Sequence, residues 1–225
     1  MAMFKKYGIR IFALVLLAHC ILIYLGMNEL RTMTKLLLVP VLLSYLAANK
    51  GKANPLVYCG LIFSFLGDLI LSQTGEIFFL LGMLAFVGTH VCNSIFFIGL
   101  HKGIIGKKRV ELTAIFLLAA FSAIVFGELR PYLGSFQWPI LTYMFIISLM
   151  AISATSTLQN PMLKPVAVRC FIPGAVLFVL SDSILAMNKF LWHKPMLDIL
   201  IMLTYGGAQY FLTLGFARVQ SLRET

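Results

Sequence analysis

Eight long apolar runs, separated by short polar, basic or Gly/Pro/Asn-bearing segments, set the pattern of this chain. The runs cover approximately 8–26, 32–49, 55–72, 77–100, 110–126, 137–155, 170–187 and 197–216. Crossing the hydrocarbon core of a bilayer takes about 20 apolar residues as a helix, with a range of about 17–25. Each run falls in or close to that range, and the separators (NKGKANP, SQTGE, HKGIIGKKR, ELRPYLG, QNPMLKP, NKFLWHKP) carry turn and interface residues. The pattern therefore predicts an all-α, polytopic membrane bundle of eight transmembrane helices. No separator is long enough for a soluble domain, so residues 1–225 are expected to form a single integral membrane domain.

Composition agrees with lipid as the solvent. Of 225 residues, 60% are hydrophobic and 12% charged, and the mean hydropathy is +0.95, too little polar surface to cover a soluble domain. The net charge of +10 would suggest nucleic acid in a soluble protein. Here the basic residues sit between apolar runs, where they orient the chain and meet anionic headgroups, so no nucleic-acid partner is expected. The opening MAMFKKYGIRIFALVLLAHC has the basic-then-apolar order of a signal peptide. It lacks a small-residue cleavage site and is followed by further spans, so it reads as a retained first helix. Cys20, Cys59, Cys92 and Cys170 are far apart within or at the end of apolar runs, and read as small buried hydrophobes, neither disulfides nor metal ligands.

Lysine and arginine distribute unevenly between the two ends of the bundle. With eight spans, 13 of the 18 fall on the side of both termini, among them Lys5, Lys6, Arg10, Lys107, Lys108 and Arg109, and five on the other: Arg31, Lys35, Arg130, Lys189 and Lys194. The positive-inside rule then puts both termini in the cytoplasm of a cell-membrane protein. A single missed helix would scramble the alternation.

A repeat runs through the apolar pattern. Residues 60–71 (GLIFSFLGDLIL) and 174–185 (GAVLFVLSDSIL) share G-x-x-x-x-x-L-[GS]-D-x-I-L at an offset of 114 residues, which suggests a parallel 4+4 duplication. Of the eight acidic residues only Asp68 and Asp182, one in each copy, lie well inside spans. A carboxylate at the bilayer centre costs about 2.5–3.5 kcal/mol on insertion scales, so such residues face the bundle interior and mark a site or pathway. At about 1.5 Å per residue both would lie roughly 5–6 Å to the external side of the midplane.

Polar neighbours define a face. Gly60, Ser64 and Asp68 recur every four residues on the third helix, as do Gly82, Phe86 and His90 on the fourth, with Asn93 three residues on. Ser181 precedes Asp182, and Tyr205 and Gln209 share one side of the last helix. Taken singly, Ser64, Ser181 and Gln209 fit interhelical glue as well as they fit a site. Two acids at one depth call for a cation, donor or proton partner, which His90 can supply. Lys35, at the outer end of the second helix, is placed either to snorkel to the interface or to take a lipid phosphate above the acids. No Walker A, H-E-x-x-H or G-x-S-x-G motif occurs, which leaves ATP, zinc and serine-hydrolase chemistry without support; no metal or cofactor is expected.

These segments resemble the YhhN-like lysoplasmalogenases. The resemblance is carried by FSFLGD at 63–68, GMLAFVGTH at 82–90, LFVLSDSILAMNKF at 177–190, the Tyr205-x-x-x-Gln209 pair and a Lys opening the second helix, Lys35, in order along the whole chain. One departure follows His90: the family often continues His-x-x-Tyr, and this chain has Asn93. The resemblance implies hydrolysis of the vinyl ether bond of lysoplasmalogens to a fatty aldehyde and glycerophosphocholine or glycerophosphoethanolamine. It implies Asp68, Asp182 and His90 as catalytic residues and Lys35, Ser64, Ser181, Asn188, Tyr205 and Gln209 as residues that orient them or the substrate. The expected partners are then a lysophospholipid and the surrounding membrane lipids, with no obligatory protein partner. The chemistry fits the residues, because carbon protonation needs an acid and water capture needs a carboxylate. Two other classes fit the same residues: a small transporter with the acids as a proton or cation relay, and a structural membrane protein without turnover.

Overall fold

The structure, a computed structural model, describes residues 2–49, 54–101 and 109–222. Lys50, Lys52, Lys102, Lys107, Lys108 and Arg223, which contribute to the charge asymmetry, lie outside the described residues.

Among the described residues eight long helices follow the eight apolar runs. They are α1 (Ala2–Tyr24), α2 (Asn28–Ala48), α3 (Pro55–Leu71), α4 (Glu76–His101), α5 (Arg109–Leu129), α6 (Gln137–Ser156), α7 (Lys164–Trp192) and α8 (Leu197–Leu222). Seven are long and apolar enough to cross a membrane. The 17-residue α3 is at the lower limit for a span, about 17 residues. The chain is therefore a multi-pass membrane helix bundle. Outward side chains suit lipid: Phe116 is 72% exposed, Ile124 67%, Phe145 65% and Leu14 66%.

Helix ends follow local chemistry. Asn54 caps α3 by accepting from the Leu56 N–H at 3.0 Å, with Pro55 in the first turn where its missing N–H costs nothing. The α7 helix contains two wide π turns, at Ala167–Phe171 just before Pro173 and at Asn188–Trp192, and ends on His193 at φ +52°. Among the described residues the others with positive φ are Gly26, Gly75 and Gly134. All four lie in the α1–α2, α3–α4, α5–α6 and α7–α8 connections, so these tight turns share one end of the bundle.

Interhelical packing relies on small residues, as expected where lipid removes the usual hydrophobic driving force between helices. A Cβ at Gly67 would meet the Phe86 ring at 2.6 Å, one at Gly206 would meet Leu16 at 2.4 Å, and one at Gly174 would meet Leu212 at 2.8 Å. Gly60 and Gly174, the first residues of the two repeat copies, each lie against the helix that follows: Gly60 on Asn93 and Cys92 of α4, Gly174 on α8. Far from the tight turns, Phe96, Phe97, Phe171 and Phe216 form one aromatic cluster, with Phe97 and Phe171 centroids 4.9 Å apart.

The cysteine expectation needs one correction. Cys20, Cys92 and Cys170 are buried, but Cys59 is exposed on the outside of α3. A thiol is apolar enough to face lipid at little cost, so burial does not follow from its position in an apolar run.

Candidate functional site

A cavity of about 300 Å³ opens at the end of the bundle that carries the tight turns; Asp68, Asp182 and Lys35 line it, and Gln73, Thr74 and Gly75 of the α3–α4 connection form part of its wall. Asp68 is 2% exposed, and the side chain of Asp182 is 13% exposed. The four-residue spacing on α3 turns Gly60, Ser64 and Asp68 into the bundle, all three buried.

Asp68 is held from two helices. Tyr205 of α8 donates its phenol to Asp68 Oδ2 at 2.6 Å, and Lys35 Nζ of α2 lies 3.5 Å from Oδ1. Behind the phenol, Gln209 Nε2 donates to Tyr205 Oη at 3.3 Å and to Ser64 Oγ at 3.0 Å. Ser64 Oγ in turn lies 3.1 Å from Thr89 Oγ1, which donates to the Gly60 carbonyl at 3.1 Å. Ser64 and Gln209 thus reach Asp68 through Tyr205, whose ring packs edge-on against Phe86 and Phe178.

Asp182 is held in a matching way from two other helices. Tyr143 of α6 donates its phenol to Asp182 Oδ2. His90 of α4, with no exposed surface, places Nε2 3.0 Å from Tyr143 Oη and 3.4 Å from Asp182 Oδ2. In a 4+4 arrangement α2 corresponds to α6 and α4 to α8. Each acid therefore takes one partner from the helix before it in its own half and one from the fourth helix of the other half. The partners differ: an ammonium and a phenol at Asp68, a phenol and an imidazole at Asp182.

The rim adds charge. Arg31 Nη2 pairs with Asp198 Oδ2 at 2.5 Å, and Lys189 lies 5.6 Å from the centroid of the Phe79 ring; all four residues line the cavity. Among the described residues no group of three or more His, Cys, Asp or Glu side chains could hold a metal ion.

The structure brings together most of the residues singled out from sequence and displaces two. Asp68, Asp182, Lys35, Ser181 and Tyr205 all line the cavity, with His90 one hydrogen bond behind it and Ser181 donating to the Ile201 carbonyl at 3.1 Å. Lys35 does not snorkel. It turns inward onto Asp68, because a carboxylate in low dielectric needs an opposite charge more than an ammonium near the interface needs water. Asn188 turns away from Asp68 and Asp182: its side-chain amide donates to Asp198 Oδ1 at 3.3 Å and its Oδ1 accepts the Lys194 N–H at 2.8 Å, so it organises the rim turn. Asn93 lies against Gly60, away from both acids, so the departure from His-x-x-Tyr falls outside the cavity. Sequence reasoning missed Tyr143, Arg31 and Asp198. Tyr143 sits in the apolar run TYMF, where nothing distinguishes an inward tyrosine from an interfacial one.

With that geometry in place, comparison with known proteins adds the relationship. The model of the YhhN family matches residues 30–216. This chain belongs to the YhhN family. The match spans α2 to most of α8, and so includes every residue that holds the two acids. Over 163 residues this YhhN-family chain is 32% identical to lysoplasmalogenase TMEM86A of Bos taurus, covering 70% of this chain and 63% of the bovine protein. It is 28% identical to lysoplasmalogenase TMEM86A of Homo sapiens over 177 residues, 76% of this chain and 68% of the human protein. The matched segment thus spans less than two thirds of the bovine relative's length. No solved structure matches this chain.

Proposed function

We propose that this chain is a lysoplasmalogenase, hydrolysing the vinyl ether bond of a single-chain glycerophospholipid to a fatty aldehyde and a glycerophospho-alcohol. The observation that carries the reading is a pair of carboxyls from symmetric motifs sharing one cavity, in a chain similar to two named lysoplasmalogenases. The substrate suits the setting, since its cleavable bond lies just below the headgroup and the acids lie below a charged rim.

The two environments support distinct roles. Asp182, against a phenol and an imidazole that can pass protons, gives its proton to the vinylic carbon, and an oxocarbenium ion forms at the ether carbon. Asp68, paired with the Lys35 ammonium, acts as the carboxylate: it takes a proton from the attacking water and a hemiacetal results. In the collapse, Asp182 takes the hemiacetal hydroxyl proton while Asp68 returns its proton to the departing glycerol oxygen. Both acids finish as they began, and one water is consumed.

The direct test is purified protein in detergent given a lysoplasmalogen while free aldehyde is measured. Aldehyde release is expected. No release, together with substrate-dependent proton flux in liposomes, would instead favour the relay reading that the 4+4 arrangement also fits. Tyr143→Phe should keep the fold and lower kcat by about tenfold, below the 10²–10⁴ range for a group that itself transfers the proton, since the phenol assists Asp182 without bonding to substrate. An unchanged kcat with an unchanged pH profile would remove Tyr143 from the proton path.

The charge asymmetry further supports both termini in the cytoplasm of a cell membrane. In a background without native cysteines, Cys at positions 73 and 107 should label from opposite sides of sealed vesicles. Labelling of both from one side would overturn the orientation.

A further inference from the structure

The charged cavity does not end at the acids. Asp182 also borders two smaller apolar cavities, each of about 30 Å³. The first lies between the main cavity and α6, sharing Leu71, Phe79, Phe86, Asp182 and Leu185 with the one and reaching Ile140 and Tyr143 of the other. The second lies among α5, α6 and α7, shares Ile140, Tyr143, Asp182 and Ala186 with the first, and is bounded by Val125, Ile147 and Val179. Its wall residue Met144 also lines an apolar groove of about 340 Å³ between α5 and α6, floored by small side chains: Ala119, Ser122, Ala123 and Ser148. The groove exists because α5 packs loosely; among its described side chains only Val125 and Leu129 are buried.

The direction of this path is informative. Along α7 the order from the rim is Lys189, Asp182, Val179, and along α6 Tyr143 is followed one turn on by Ile147. The first cavity thus lies beside Asp182 at the level of the acids, and the second cavity and the groove lead from it away from the rim, toward the lipid-facing middle of the bundle. A single-chain amphiphile with its headgroup at Arg31 and Lys189 and its cleavable bond at the acids must send its hydrocarbon chain that way.

We propose that the cavities between α5, α6 and α7 form the binding site for the hydrocarbon chain of the substrate, with Val179 at its narrow point and the α5–α6 groove holding the distal end. The occupant is the chain of the same molecule whose headgroup meets the rim. This rests on the hydrolase reading for the identity of the substrate, but not for the existence of the site. Transfer from lipid to an apolar groove yields little hydrophobic gain, so the site selects by shape, and selectivity lies in the constriction.

The test uses the full chain in detergent and a series of single-chain lysophospholipids of increasing chain length, both vinyl ethers and non-cleavable saturated ethers. Val179→Phe should lower kcat/KM of the longest chains by about tenfold or more relative to its effect on the shortest, the scale on which an apolar pocket discriminates. Val179→Ala, which frees the same space without crowding, should shift the profile toward longer or bulkier chains. Equal effects at all chain lengths in both variants would overturn the proposal. A saturated ether carrying a diazirine at the chain end gives a readout without turnover. It should label α5 and α6 around Met144 and Ser148, be competed by unlabelled saturated lysolipid and be lost in Val179→Phe. Labelling that resists competition would show ordinary surrounding lipid in the groove and overturn the proposal. Length-dependent binding without aldehyde release in the wild type would instead remove the hydrolase reading and leave the chain site standing.

Discussion

Asp68→Asn and Asp182→Asn are each expected to abolish turnover, lowering kcat by about 10³-fold or more, while the protein still inserts and purifies as a folded bundle. The size follows from the 10²–10⁴ range for one acid–base group, at its upper end because each acid moves a proton twice in the cycle. Asparagine is nearly isosteric and its carbonyl still accepts the phenol of Tyr205 or Tyr143, so the loss reports on the proton and the charge, not on packing. If both acids act on one reaction coordinate, as proposed, the double variant should be little worse than either single one. Glu76→Gln and Glu128→Gln serve as controls and should change activity little, as neither lines the cavity. Aldehyde release measured against purified wild type decides the matter: near-normal turnover in either Asn variant removes the two-carboxylate mechanism.

Lys35→Met is expected to cost both stability and activity. Removing one partner of a buried ion pair leaves the other charge uncompensated, a loss of about 3–5 kcal/mol in well-buried cases. The low end applies here, because the Lys35 side chain keeps 18% of its surface and solvent screens part of the interaction. The informative variant is the double, Lys35→Met with Asp68→Asn. It should recover most of the stability lost in Lys35→Met, since the orphaned charge is gone, and recover none of the activity. Thermal unfolding in detergent reads the first and aldehyde release the second. A double variant no more stable than Lys35→Met alone would show that Lys35 acts on something other than Asp68, such as a lipid phosphate.

The surroundings of the two acids match in part and differ in part. Both copies of G-x-x-x-x-x-L-[GS]-D-x-I-L aim their acid at one cavity, and both acids receive a tyrosine hydroxyl. The difference lies in the second partner, Lys35 against His90, and those residues occupy non-equivalent helices of the two halves. In the proposed mechanism it is environment, not the motif, that separates the roles, as in other pairs of carboxyls that share a site.

The number of helices, their approximate ends, the membrane as solvent and the two intramembrane acids were all legible from sequence. Each is set by properties local to a run: the apolar length needed to cross hydrocarbon, and the cost of putting a carboxylate there. The faces of α3, α4 and α8 were legible for the same reason, since a four-residue spacing of Gly, Ser, Asp, His, Tyr and Gln survives in one helix whatever packs against it. What the sequence could not decide was which helix meets which. In lipid a polar stripe can mark the inward face of a helix but not the neighbour it meets, and the pairing is chosen by small residues such as Gly67 and Gly206 that admit one particular neighbour. Hence the inward turn of Lys35, the use of Tyr143 between His90 and Asp182, and the pairing of Arg31 with Asp198 across 167 residues came only from tertiary structure, because each is a contact between side chains that no local pattern relates.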